Sequence, residues 1–199
     1  RFDWADKLPR ADRGDYAFIM HIAKLLNEQG RAAVVVPHGV LFRKHESKFR
    51  EEMIKEDLVE AIIELPGNLF QNVSLPSAVL VLNKEKTPER NKEVQFIHAA
   101  DERFYVERSN HNDLTSEARD RIVSAYDSWL TEDRMCRTVS VEEIAENDYN
   151  LNISIYVDTT EPEEDIDVDE ELVVMRKLQE QRNEVETRMT QHMEALNYE

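Results

Sequence analysis

The stretch Ala61-Ile-Ile-Glu-Leu-Pro-Gly-Asn-Leu-Phe-Gln-Asn-Val-Ser-Leu-Pro-Ser-Ala-Val-Leu-Val-Leu-Asn83 decides the fold. Two short aliphatic runs, residues 58–65 and 77–82, flank a segment rich in Pro, Gly and Asn. Such bounded runs predict strands that are buried on both faces. The eleven-residue connection, residues 66–76, is longer than a tight hairpin needs, and loops of this length are more often functional than idle. Phe70 is its only large aromatic residue, which makes it the first candidate site residue.

Composition limits the class of protein. The chain of 199 residues has a single cysteine, Cys136, which cannot form an internal disulfide and so indicates a reducing, cytoplasmic setting. No apolar run approaches the roughly 18 residues of a membrane span, and the first thirty residues lack a signal-peptide layout. We therefore expect no membrane association. Because the chain begins with Arg1 rather than Met, we expect it to be a piece of a longer protein.

The net charge of −17 is unevenly distributed. Residues 1–92 carry 15 Lys or Arg against 14 Asp or Glu, whereas residues 93–199 carry 10 against 28. An acidic chain is repelled by nucleic acid, but a near-neutral half can still face a phosphate backbone through a local basic patch. The two halves are therefore expected to meet different partners.

The residues before the deciding stretch predict alternating helices and strands. Asp15 is placed to cap a first helix, and a left-handed Gly30 is expected to end it. The predicted apolar face of this helix consists of Phe18, Ile22, Leu25 and Leu26. The apolar run 31–37 does not alternate, which is typical of a central parallel strand covered on both sides. A second helix is predicted over 44–57. This alternation of helices and strands predicts an open α/β sheet whose last two strands run antiparallel.

Basic residues crowd the start of the second helix: Arg43, Lys44, Lys48 and Arg50. We interpret them first as a solvated helix face, with contact to DNA phosphates as the alternative. His38 follows a strand at the edge where α/β folds place ligands, but we favour a structural role for it. No set of His, Cys and carboxylate residues has the spacing of a metal site.

Four segments closely resemble the modification (M) subunit of type I restriction-modification systems. They are Gly14-Asp-Tyr-Ala-Phe-Ile-Met-His21, Gly30-Arg-Ala-Ala-Val-Val-Val-Pro-His-Gly-Val-Leu-Phe-Arg43, Leu65-Pro-Gly-Asn-Leu-Phe-Gln-Asn-Val-Ser-Leu-Pro76 and Glu142-Glu-Ile-Ala-Glu-Asn-Asp-Tyr-Asn-Leu-Asn-Ile-Ser154. The resemblance implies an S-adenosylmethionine-dependent DNA adenine methyltransferase with a Rossmann-like domain. The glycine-rich cofactor motif and the Asn-Pro-Pro-aromatic catalytic motif of that family do not occur in this sequence. The chain is thus expected to hold the C-terminal part of the methyltransferase sheet, without catalytic residues, cofactor or activity of its own.

The resemblance also implies a role for the loop. A methyltransferase must extrude its target base from the duplex, and flat aromatic side chains hold such a base. An aromatic residue at the position matching Phe70 stacks on the flipped base in related adenine methyltransferases. Asn68 and Asn72 are expected to hold the loop, or alternatively to bond the base edge. The other interpretation of Phe70 is a core residue beneath the loop.

The remainder of the chain predicts a mixed region and then a long helix. A surface connection leads to a strand near 94–100 and a helix that starts at Asp113 or Thr115 and carries an apolar face of Ala118, Ile122, Ala125, Tyr126 and Trp129. Ser140 has capping-box spacing for a short helix, and alternation over 149–157 predicts a half-exposed strand. We expect boundaries of 1–92 for the catalytic-domain portion, 93–157 for the extension, 158–171 for an acidic linker and 172–197 for the helix.

That last helix carries a narrow apolar seam, which is typical of coiled-coil or bundle packing: Leu172, Met175, Leu178, Val185, Met189, Met193 and Leu196. The seam either folds back on its own domain or docks with a partner. The resemblance implies docking with the specificity (S) subunit, in a system that also contains a restriction (R) subunit and DNA. Two hypotheses therefore remain: part of a DNA adenine methyltransferase subunit, or a non-catalytic module for subunit assembly.

Overall fold

A computed structural model describes residues 9–10, 12–160 and 168–196. The chain divides into two compact units, residues 1–160 and 161–199. The first is a mixed α/β unit, and the second contains a single described helix, α5 (Val168–Ala195). None of the helices in the described ranges is both long and apolar enough to cross a membrane. Of the acidic linker predicted over 158–171, residues 161–167 lie outside the described residues and residues 168–171 belong to α5. Position 197 of the predicted helix also lies outside the described residues.

The first unit is organised around a five-stranded sheet with the order β1-β3-β2-β4-β7. Its strands are β1 (Arg31–Pro37), β2 (Val59–Leu65), β3 (Ser77–Asn83), β4 (Glu93–His98) and β7 (Cys136–Ser140). Strand β3 runs antiparallel between β1 and β2, whereas β2 and β4 are parallel and β7 is antiparallel to β4. The carboxyl ends of β1, β2 and β4 therefore lie along one edge of the sheet, where α/β folds place their ligands.

Helices and a small hairpin cover the sheet. The helices are α1 (Asp15–Leu25), α2 (Ser47–Lys55), α3 (Ser116–Ser128) and α4 (Val141–Glu146), and the hairpin pairs β5 (Tyr105–Glu107) with β6 (Asn112–Leu114). One core cluster joins α1, α2 and α4 to the sheet, and a smaller one lies beneath α3. The smaller cluster contains Phe104, Ile122 and Cys136, whose thiol is buried and donates to the carbonyl of Leu130 at 3.2 Å.

A buried carboxylate ties together the amino-terminal edge of the sheet. Glu60 is 1% exposed, and one of its oxygens accepts from the Tyr126 hydroxyl at 2.6 Å and from Arg31 at 3.0 Å. The other accepts from the side chains of Asn83 at 3.1 Å and Arg90 at 3.4 Å. Burial acts to raise the pKa of Glu60, but the hydrogen bonds from Tyr126, Asn83 and Arg31 lower it below its usual value.

Several predicted elements are confirmed. Strands β2 and β3 form an antiparallel pair, as the deciding stretch predicts. Thr115 caps α3 by accepting from the backbone N–H of Ala118, and Ser140 caps α4 by accepting from Glu143. Within the predicted extension, β4 and β7 continue the sheet of β1–β3, whereas β5 and β6 form a two-stranded sheet of their own.

Two expectations about the first helix are wrong. The buried face of α1 carries Tyr16, Ile19, Met20 and Ala23, while Phe18 and Leu25 are each 70% exposed. The Tyr16 ring stacks on Phe49 and its hydroxyl donates to the carbonyl of Val40, which fixes the rotation of the helix. Asp15 is the first helical residue and makes no cap bond.

Gly30 and β1 also differ from expectation. Gly30 has a negative φ; it is required because a Cβ there would lie 2.7 Å from the Cβ of Leu26. Within the described residues, β1 pairs only with β3, and antiparallel, so it is not a central parallel strand. Its exposure alternates along the strand, and Val35 is 54% exposed.

The strand predicted over 149–157 is absent from this fully described range, which forms a loop and a 3-10 turn, Ile153–Ile155. Asp148 and Tyr149 have left-handed backbones, with φ of 55° and 52°. Leu151 bonds through its N–H to the carbonyl of Leu41, and the Tyr156 hydroxyl donates to the carbonyl of Asn150. Leu151, Ile153, Tyr156 and Val157 are buried here without any strand partner, and Ile155 is 41% exposed.

Candidate functional site

The β2–β3 loop, residues 66–76, leaves the carboxyl end of β2 and has a defined backbone. Its two arms approach closely, since a Cβ added to Gly67 would lie 2.7 Å from the carbonyl oxygen of Ser74. The N–H of Val73 donates to the carbonyl of Phe70 at 3.0 Å and closes a four-residue turn. Asn68 and Asn72 have φ of 53° and 62°, a left-handed conformation that Asn tolerates better than most residues.

Phe70 lies at that turn and is 40% exposed. The ring is therefore not the buried core residue of the alternative interpretation. Val73 and Leu75 are also exposed, at 45% and 72%. The loop thus presents three apolar side chains next to the edge of the sheet where ligands bind in α/β folds.

Asn68 and Asn72 are both exposed, and their contribution to the loop is made by the backbone. No hydrogen bond of either side chain occurs within the described part of the chain, so both amides are available to a ligand. The sequence raised two alternatives, loop support and contact with a base edge. The backbone conformations are what loop support requires, and the free amides leave contact with a base edge open.

Asn112 is a residue of this site that sequence reasoning missed. Its backbone N–H donates to the carbonyl of Asn68 at 2.7 Å, and its side-chain amide donates to the carbonyl of Gly67 at 2.9 Å. It belongs to the β5–β6 hairpin, 45 positions along the chain from Gly67. No signal in the sequence links these positions, because an Asn in a polar segment is the ordinary composition of a surface turn.

A carboxylate and two histidines meet beside the loop at the ends of β1, β2 and β4. One carboxylate oxygen of Glu64 accepts a hydrogen bond from Nδ1 of His98 at 2.7 Å, and its other oxygen lies 3.2 Å from Nε2 of His38. Nε2 of His38 makes no hydrogen bond within the described part of the chain. No group of three or more His, Cys, Asp or Glu side chains in the described ranges is arranged to hold a metal ion. The cluster joins three strands, in keeping with a structural role for His38.

The four basic residues considered for phosphate contact differ in exposure: the two arginines are bonded within the protein, and the two lysines are exposed. Arg50 is wrong as a phosphate ligand, because it is 2% exposed and its guanidinium donates to the carbonyls of Tyr149, Val40 and Arg43. Arg43 is half-buried and pairs with Asp15 at 2.8 Å. Lys44 and Lys48 are exposed. Only these two lysines are left in position to meet a phosphate.

The sheet and its carboxyl-edge loop define a Rossmann-like α/β domain of the methyltransferase class. Residues 1–165 match the family model described as N-6 DNA Methylase, so the chain belongs to that family. The MjaVII type I restriction enzyme methylase subunit of Methanocaldococcus jannaschii is 37% identical over 190 residues, which are 94% of this chain and 33% of that protein.

Two further relatives agree with this assignment. The MpnII type I restriction enzyme methylase subunit of Mycoplasma pneumoniae is 30% identical over 169 residues, 84% of this chain and 30% of that protein. The crystal structure of a type I restriction-modification methyltransferase subunit from Streptococcus thermophilus matches 79% of this chain and 33% of its own, with a TM-score of 0.74 and 38% identity. The chain spans about a third of the length of the curated relatives it matches.

Proposed function

We propose that this chain contributes the base-holding loop of a DNA adenine methyltransferase, within the modification subunit of a type I restriction-modification system. The observation that carries the proposal is the exposed ring of Phe70 on the β2–β3 loop. An adenine amine inside a duplex is out of reach of an enzyme, so the base is swung out and held between flat side chains. Phe70 is the side chain of this loop that has the flat face such a base requires.

The energy of the contact is sufficient to matter for the reaction. Stacking of one base on an aromatic side chain contributes about 1–3 kcal/mol. Extruding a paired base costs a few kcal/mol, so the ring of Phe70 offsets a substantial part of that cost. The amides of Asn68 and Asn72 flank the turn and are free to hydrogen-bond the base edge.

S-adenosylmethionine is the methyl donor that membership of the family implies for the intact protein. We propose that the residues that hold it lie elsewhere in that protein, since the four glycines of this chain, Gly14, Gly30, Gly39 and Gly67, are spread along the sequence and do not form a glycine-rich cofactor turn. No residue here is therefore assigned to the cofactor, and the methyl transfer itself is left to the rest of the intact subunit.

Contact with DNA is proposed to be shared between subunits. The chain is strongly acidic, and Lys44 and Lys48 are the exposed cations near the start of α2 that can meet a phosphate. Sequence reading is then the task of a specificity subunit, which is proposed to dock on the apolar seam of α5. A restriction subunit completes the proposed assembly.

A second candidate function is a subunit-assembly module without a part in base holding. The observation that favours it is the seam of α5, whose members from Leu172 to Met193 recur at spacings of three, four and seven. A single helix cannot bury such a seam by itself, so the seam needs a partner. In this case the β2–β3 loop has only a structural role.

Phe70→Ala in the intact modification subunit, assembled with its specificity subunit, separates the two candidates. Loss of about 1–3 kcal/mol of stacking lowers the single-turnover rate of adenine methylation by roughly five- to 150-fold. The loss is smaller on a duplex in which the target adenine faces an abasic position, because that base costs less to extrude.

The matched control is Leu75→Ala, which removes a more exposed apolar side chain from the same loop. It should leave both rates unchanged. Retention of the full methylation rate by Phe70→Ala would reject base holding and leave the assembly module as the function of this chain.

A further inference from the structure

The β5–β6 hairpin contains one residue whose burial the hairpin itself does not explain. Of residues 105–113, all of which the structure describes, Asn112 alone is buried, at 9% exposure. Its partner across the hairpin, Glu107, is exposed, as are residues 108–111 of the tip. Burying an amide side chain costs free energy unless it is hydrogen-bonded, so the partner of this side chain indicates its purpose.

That partner is the β2–β3 loop. The side-chain amide of Asn112 donates to Gly67 and its backbone N–H donates to Asn68. Both acceptors lie at the start of the loop, immediately before the turn that carries Phe70. Fixing the carbonyls of two successive residues sets the direction in which the chain enters that turn.

The hairpin is itself anchored to the body of the protein. Phe104, just before β5, is 1% exposed and belongs to the core cluster beneath α3. Its carbonyl accepts from the N–H of Thr115, which follows β6, and Leu114 packs against the same cluster. A rigid support therefore extends from the core through the hairpin to the loop, whose left-handed Asn68 and closely spaced arms are costly to hold without one.

We propose that Asn112 is a positioning residue for base extrusion: its side-chain amide holds the start of the β2–β3 loop so that Phe70 faces the extruded base. The proposal rests on the proposed function of Phe70. It assigns the β5–β6 hairpin a role in the reaction through its contacts with Gly67 and Asn68 of the loop.

The test is Asn112→Ala in the intact, assembled subunit, with Asn110→Ala as the matched control. Asn110 is an exposed residue of the same type in the same hairpin. The loss of the hydrogen bond to the Gly67 carbonyl lowers the single-turnover methylation rate by about five- to tenfold, with little change in the apparent KM for DNA. Amide hydrogen exchange over residues 67–75 becomes faster in Asn112→Ala and is unchanged in Asn110→Ala.

A double-substitution cycle separates positioning from general stability. If Asn112 acts through Phe70, adding Asn112→Ala to Phe70→Ala lowers the methylation rate no further. The inference would be overturned if the double variant lost the product of the two single rate reductions. It would also be overturned if Asn112→Ala kept the full methylation rate while Phe70→Ala lowered it. If Phe70→Ala leaves the rate unchanged, the proposed function fails instead, and hydrogen exchange still reports whether the hairpin braces the loop.

Asn112→Asp is the second variant if Asn112→Ala unfolds. It keeps the shape of the side chain and replaces the donating amide group, and Asn110→Asp adds the same charge at an exposed position. The same slower methylation and faster exchange of residues 67–75 are expected, and equal behaviour of the two Asp variants would contradict the positioning role.

Discussion

The amino-terminal and carboxyl edges of the sheet differ in whether their key side chains are buried or exposed. At the amino-terminal edge, Glu60 is buried and accepts hydrogen bonds from four side chains. At the carboxyl edge, the β2–β3 loop leaves Phe70, Val73 and Leu75 exposed. The first arrangement favours stability of the fold, and the second gives up stability to keep apolar surface available.

The folding stability given up at the carboxyl edge can be expressed in kcal/mol. Full burial of a Phe side chain contributes about 1.5–3 kcal/mol, of which the 40% exposure of Phe70 forfeits a part. The left-handed backbones of Asn68 and Asn72 cost of order 1 kcal/mol each. The cost accords with the base-holding role proposed for the exposed ring of Phe70.

The comparison predicts its largest effect at Glu60. Glu60→Ala leaves Arg31, Arg90, Asn83 and Tyr126 without their common acceptor, so the free energy of unfolding falls by about 3 kcal/mol. Urea unfolding followed by circular dichroism measures this loss. Phe70→Ala should cost less than about 1 kcal/mol in the same experiment, since the ring is already partly in water. Equal losses would mean that the two ends do not differ as described.

A smaller loss is expected within the loop at Gly67. Gly67→Ala places a methyl group 2.7 Å from the backbone oxygen of Ser74, and neither atom belongs to a flexible side-chain end. The arms of the loop must separate, at a cost of about 1–3 kcal/mol. Hydrogen exchange over residues 66–76 should then accelerate. Ser74→Ala, which leaves that carbonyl in place, is the control and should behave like the wild type.

The smallest effect concerns pH at the amino-terminal edge. The pKa of Glu60 in the folded protein lies below its usual value of 4.5. A group with a lowered pKa stabilises the folded state above its unfolded-state pKa, and this contribution is lost as pH falls through the folded-state pKa. The difference in free energy of unfolding between the wild type and Glu60→Gln should therefore shrink as pH falls below 4.5. A difference that is independent of pH would contradict the stabilising role of the charge.

What the sequence predicted well depends on near neighbours. Capping by Thr115 and Ser140 involves residues three positions apart, and the strands on either side of the β2–β3 loop are short runs bounded by Pro and Gly. The identity of Phe70 as the loop aromatic is equally local. Its exposure, which base holding requires, became known only from the structure.

What the sequence did not predict depends on distant partners. Arg50 looked like a surface cation, but its guanidinium bonds a carbonyl 99 positions away and is buried. Asn112 gave no signal because its acceptor is 45 positions away. On α1 two apolar stripes compete, and the contacts of Tyr16 with Phe49 and Val40 decide which one is buried. Periodicity alone could not make that choice.

The burial of Cys136 makes this chain convenient for site-directed labelling. Its side chain is 2% exposed, and burial raises the pKa of the thiol, so the native sulfur should be unreactive toward maleimides. Gln71→Cys introduces an exposed thiol in the turn beside Phe70 without prior removal of the native cysteine. A nitroxide or fluorophore attached there would report the motion of the turn when DNA is added.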